Sequence, residues 1–139
     1  MKKLILSTVV ALAATILAAS ARAQVVVIAN PSVKASGISK DDVRDVFTGN
    51  SSSLKDGSKV VPVLLKDGPA NEAFLKAYIG KGDSAFRAGW RSLVFSGQGS
   101  MPKSLDDDAA AAFVAHNAGA IGYINKATPH EGVKVLEVQ

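Results

Sequence analysis

The chain has 139 residues, of which 16 are Lys or Arg and 12 are Asp or Glu, and it has no cysteine. That length suits a single domain, and the missing cysteine excludes a disulfide framework, a thiol nucleophile and a thiolate metal site. The net charge of +4 is owed largely to residues 1–23, which hold Lys2, Lys3 and Arg22 and no acid; the remaining 13 basic and 12 acidic residues give no electrostatic case for nucleic acid or anionic lipid as a partner.

The first 23 residues read as a leader. Lys2 and Lys3 make a positive start, Leu4 to Ala19 is an apolar run of 16 residues, and Ala21-Arg22-Ala23 has the small-x-small pattern of a cleavage site. The expectation is a secretory signal peptide removed after Ala23, with Gln24 first in the mature chain. The apolar run is shorter than the roughly 20 residues of a spanning helix. No cysteine follows it to carry a lipid. No stable membrane anchor is therefore expected after cleavage.

Residues 24–139 read as one domain. Gln24 to Ala29 is a continuous apolar run, the pattern of a strand covered on both faces, and Asn30-Pro31-Ser32 ends it. Ser39 is placed to cap a helix with Asp41 and Asp42 in its first turn, Val43, Val46 and Phe47 on its buried stripe, and Gly49 at its close. Asn50 to Lys59 is polar, with Asp56-Gly57 as a turn. Val60, Val61, Val63, Leu64 and Leu65 predict a second doubly covered strand. Lys66-Asp67-Gly68-Pro69 breaks it, and Ala73, Phe74, Ala77 and Tyr78 recur at helical spacing up to a cap at Gly80. A strand feeding a helix through such a loop can present free backbone N–H groups to an anion; the same pattern also fits a plain connection.

Asp83 or Ser84 can cap the next helix, with Phe86, Trp90, Leu93 and Val94 on one stripe and Arg87 and Arg91 beside it. Trp90 is expected to anchor the core. Ser96 to Ser100 is a glycine-rich loop that follows a helix and does not join a strand to one, so it fails the context of a dinucleotide site. Asp106-Asp107-Asp108 opens another helix, where negative charge is favourable; adjacent helical residues point apart, so no metal site is expected of them. His116 and His130 are far apart and carry no partner pattern for a base or a zinc ligand. Gly119 allows a turn into a strand over Ala120 to Ile124 with close packing at Gly122, and Val133, Val135 and Val138 make a last, half-exposed strand. The order is β-α-β-α-α-α-β-β, an α/β fold with a mixed sheet flanked by helices. No motif places a nucleophile or an acid/base pair, and no enzyme activity or cofactor is expected.

Several runs resemble one family. Val25-Val26-Val27-Ile28-Ala29-Asn30-Pro31, Asp45-Val46-Phe47-Thr48-Gly49, Val60-Val61-Pro62-Val63, Asp67-Gly68 before Phe74, and Gly119-Ala120-Ile121-Gly122-Tyr123 look like the second lobe of periplasmic phosphate-binding proteins. The chain resembles most the short single-lobe proteins labelled phosphate ABC transporter substrate-binding-like. The resemblance implies one lobe of a type 2 periplasmic binding protein, outside the inner membrane, holding phosphate or a related oxyanion for ABC-type transport. It implies a site at Lys66, Asp67, Gly68, Ala70 and Asn71, with the backbone amides of Ala70 and Asn71 and the Lys66 charge as donors and Asp67 accepting from a protonated phosphate. The loop departs from the family. Leu65 stands where those binders carry an arginine, and Pro69, Ala70 and Asn71 replace a serine, a glycine and a threonine. A single lobe also leaves its site open, so tight capture would take a second lobe from another copy or from an envelope protein. The alternative reading is an interaction module of the cell envelope that keeps the lobe's fold without a ligand.

Overall fold

The computed structural model describes residues 24–139, so the predicted leader and its cleavage point lie outside the described residues. The uninterrupted apolar run after Gln24 forms β1 (Val25–Ala29), the central strand of a five-stranded sheet. On one side β1 runs antiparallel to β6 (Ala120–Asn125), with Val26 opposite Ile124 and Ile28 opposite Gly122. On the other it runs antiparallel to β7 (Lys134–Val138). Two short strands close the edges in parallel pairing, β2 (Gly37–Ile38) on β7 and β3 (Val61–Pro62) on β6. The doubly covered character read from β1 holds, since Val27 to Ala29 are all buried, and Ala120 to Ile124 of β6 are buried as well.

The run Val60–Leu65 does not form one strand. It splits at Val63 into β3, which edges the main sheet, and β4 (Leu64–Leu65), which pairs in parallel with β5 (Ser104–Leu105). Val61 and Val63 N–H both donate to the β6 side, at Gly119 O and Ile121 O, whereas Leu64 N–H turns to Lys103 O on the opposite side. Pro62, with no N–H, offers that outer side nothing to pair, so β5 joins only from Leu64 onward. Val61 is left 57% exposed, against the expectation of double cover. β7 is also shifted from its expected face: Leu136 is its buried residue and Val135 is exposed.

Helix α1 (Lys40–Phe47) begins as predicted. The Ser39 hydroxyl accepts from Asp42 N–H, and Val43, Val46 and Phe47 are buried. Helix α2 (Pro69–Phe74) follows the loop after β4 and runs on as a π-helical stretch, Leu75–Ile79, that ends in a left-handed Gly80. In α3 (Asp83–Phe95) the N-cap is Gly82, not Asp83 or Ser84, and Val94 faces outward at 41% exposure. Trp90 is the expected anchor, buried with its indole N–H on Phe47 O at 2.9 Å. In α4 (Asp107–His116) the three aspartates go separate ways. Asp106 caps Ala109 N–H, Asp107 accepts from Asn125 N–H at 2.7 Å, and Asp108 is exposed. α4 packs on β6. A side chain at Gly122 would stand 2.8 Å from Val63 and 3.3 Å from Val114 of α4, the close approach its sequence suggested. Phe47, Phe74 and Tyr123 form the aromatic centre of the core, with the Phe74 and Tyr123 rings stacked at 3.7 Å. Among the described residues no helix is long and apolar enough to cross a membrane.

Candidate functional site at the β4–α2 loop

β4, β5 and β6 all end on the side of the molecule where α2 and α4 begin, the place where open α/β sheets present their ligands. The loop Lys66–Gly68 leaves β4 there. Lys66 is held by its backbone, donating N–H to Leu105 O at 2.9 Å, and its side chain is exposed, as is that of Asp67. Gly68 has extended backbone with φ 161°. Pro69 opens α2 and has no N–H to give. Glu72 N–H is the first of the turn to find a partner, Gly68 O at 2.9 Å. The N–H groups of Ala70 and Asn71 have no acceptor among the described residues.

Directly beneath the loop is a closed polar network. Leu65 N–H donates to the Tyr123 phenol oxygen at 3.2 Å, and the phenol donates to Asn71 Oδ1 at 2.6 Å. Asn71 Nδ2 donates to Asp83 Oδ1 at 2.7 Å. Arg87 Nε pairs with both Asp83 oxygens at 3.0 and 3.1 Å. Arg87 Nη1 reaches Ser104 Oγ at 2.7 Å and Nη2 reaches Leu65 O, which returns the network to its start. Burial pushes the Tyr123 phenol well above its ordinary value of 10.0, while Leu65 N–H and the Arg87 charge act in the opposite sense.

The structure therefore brings Lys66, Asp67, Gly68 and Ala70 together at the loop and turns Asn71 inward. The Asn71 side chain has no exposure, and its amide is already donated to Asp83. A cavity of about 490 Å³ opens beside the loop. Asp67, Glu72 and Asp83 line it with Lys76 and Lys81, so carboxylates outnumber ammonium groups there. Sequence reading missed Asp83, Arg87, Ser104 and Tyr123 as members of this site. The spacing of Asp83 and Arg87 at i, i+4 was the available signal for their pairing. Nothing in the sequence could place their shared carboxylate against Asn71, twelve residues away.

Solved structures share this fold. A structure assigned to a phosphate ABC transporter substrate-binding protein from Clostridium perfringens, with phosphate bound, superposes with a TM-score of 0.60 at 16% identity, over 83% of this chain and 44% of that one. An ABC-type phosphate transport receptor from Vibrio cholerae superposes with a TM-score of 0.54 at 12% identity, over 83% of this chain and 46% of that one. No protein-family model matches the chain, and no curated protein matches it in sequence. The chain thus has the fold of one lobe of a periplasmic binding protein, a mixed sheet with flanking helices, and spans less than half the length of these two structures.

Proposed function

We propose that the chain is a periplasmic solute-binding-type protein that holds phosphate or a related oxyanion, without chemical conversion, for ABC-type transport. The observation that carries this reading is the pair of unpartnered N–H groups, Ala70 and Asn71, at the start of the helical run Pro69–Ile79 in a binding-protein lobe. In this reading the anion meets the Lys66 ammonium and the Ala70 N–H. Asp67 accepts from a protonated oxyanion, Gly68 lets the anion approach the backbone, and Asn71 supports the turn from beneath. The facing wall comes from a second copy or from an envelope protein, since the chain corresponds to one lobe only.

One observation favours a second reading. The Asp83 carboxylate already receives the Asn71 amide and the Arg87 guanidinium, so the donors under the loop are satisfied by the protein's own anion. A lobe closed in this way would work by docking to an envelope partner. Thermal unfolding in a non-phosphate buffer, with phosphate, sulfate and chloride at matched ionic strength, separates the two. Ligand at 100 times its Kd stabilises by about 2.7 kcal/mol, a shift of several degrees in a domain of this size. A shift specific to one oxyanion and lost in Lys66→Ala is the expected result. An unchanged midpoint at millimolar phosphate would leave docking as the reading.

A further inference from the structure

A second concavity, remote from the loop in its chemistry, lies beside the exposed edge strand β3. It is a groove of about 320 Å³, at the small end of the range of small-molecule pockets. Its walls are mostly apolar, with Val46, Val61, Pro62, Trp90, Met101 and Phe113 set among three serines and a glutamine. Val61 and Met101 are exposed, at 57% and 42%, although both are large aliphatic side chains. Lys103 is the one charged residue of the lining. Its ammonium stands 5.4 Å from the centre of the Phe113 ring, and the described residues place no carboxylate within ion-pair distance of it.

The strand edge itself argues against a peptide as the occupant. A peptide added to a sheet needs a row of free backbone donors. Here Val60 N–H goes to Ser52 O, Leu64 N–H to Lys103 O, and Pro62 has none. What the groove offers is apolar area with a single positive charge at its wall.

We propose that this groove binds a small apolar monoanion, a medium-chain aliphatic carboxylate, with the alkyl chain against Val61, Trp90 and Met101 and the carboxylate at Lys103. The charge complementarity is direct, because one unpaired cation in an apolar lining matches one anionic head on an apolar tail. The site is independent of the oxyanion loop, and its occupation would leave Lys66 and Ala70 free.

The chain has one tryptophan, and it lines the groove, so its emission, excited apart from Tyr78 and Tyr123, reports on this site. The purified protein is titrated below micelle-forming concentrations with hexanoate, octanoate, octanol and octyltrimethylammonium. The expected result is a saturable change in Trp90 emission with octanoate, about tenfold tighter than with hexanoate for two added methylenes, and weakest with the ammonium. Lys103→Gln should weaken octanoate roughly two- to fivefold, the range of a partly exposed ion pair, and leave octanol unchanged. Val61→Asp, at an edge position more than half exposed, should abolish both. No saturable response to octanoate overturns the proposal. So does equal binding of the anion and the ammonium, or octanoate binding that survives Val61→Asp.

Discussion

The two concave regions of this protein handle their polar groups in opposite ways. Under the β4–α2 loop, every side-chain polar group is paired within the protein: Tyr123 with Asn71, Asn71 with Asp83, Asp83 with Arg87, and Arg87 with Ser104 and the Leu65 carbonyl. In the groove at β3 the lining is mostly apolar, and its one charge has no carboxylate partner. The first region resembles a binding site in position but has the internal satisfaction of a core, and its residual capacity rests on Lys66 and two backbone N–H groups. The second has no counterpart in the sequence patterns that point to the first, yet it leaves apolar area and charge unspent. Position in a fold and capacity to bind are thus separate properties, and a site is recognised by what its groups still lack.

The comparison breaks most visibly if Asp83 is removed. In Asp83→Ala the fully buried Asn71 amide loses its acceptor and Arg87 loses its counter-charge, both at partly or fully buried positions. The expected loss is about 3 kcal/mol, read as a fall of about 10 °C in the unfolding midpoint. The matching change in the other region, Val61→Asp, adds a charge at an exposed strand edge and should cost about 1 kcal/mol at most. Equal losses from the two substitutions would mean that the groove is as structural as the network, and the contrast would fall.

Tyr123→Phe sharpens the same contrast with a smaller effect. It keeps the stacked ring but orphans Asn71 Oδ1 and Leu65 N–H, which should cost about 2 kcal/mol near neutral pH. The pH dependence identifies the hydroxyl as the source. Burial raises the phenol in the folded state above its ordinary value of 10.0. The unfolded chain therefore releases this proton first as pH rises. The contribution is fully present below about pH 10 and declines above it by up to about 1.4 kcal/mol per pH unit. The variant lacks this term, so the stability gap between the two proteins should narrow in urea unfolding series run above pH 10. A gap that stays constant to pH 11 would show that Tyr123 is not held neutral by the fold.

Much of the fold was legible because its strongest signals are local. The uninterrupted apolar runs at β1 and β6, the Ser39 cap, the Gly80 and Gly119 turns and the Trp90 anchor each rest on a few adjacent residues, and each was found. The failures came where one residue shifted the choice. Pro62 leaves the outer edge of an apolar run without a donor, so a second partner joins only from Leu64 and the run that periodicity reads as one strand is divided between two sheets. The two-residue strands β2 and β5 are too short for any period to register. At the site, the loop residues Lys66 to Ala70 were legible as a break between strand and helix. The network beneath was not. Its members come from β4, α2, α3, β5 and β6, and their meeting is a property of packing that no local pattern encodes.

Gly68 is the position where sequence and structure value the same residue differently, and it gives the smallest and most discriminating effect. Asp67-Gly68 carries part of the resemblance to phosphate-binding lobes, which treats the glycine as a site residue. In the structure Gly68 has extended backbone open to any residue, and a Cβ built there meets nothing within 4 Å. Gly68→Ala should therefore leave the fold intact and change its stability by less than about 1 kcal/mol, alanine's smaller unfolded-state freedom being offset by its poorer fit at the helix N-cap. If an oxyanion rests on the Ala70 N–H, the added methyl crowds its approach, and the phosphate-dependent shift in unfolding midpoint should shrink while the ligand-free midpoint stays within a few degrees of the parent. A diminished phosphate shift on an intact fold is what a site built on the loop backbone requires. An undiminished phosphate shift would place the anion elsewhere and leave Gly68 as a plain connection between β4 and α2.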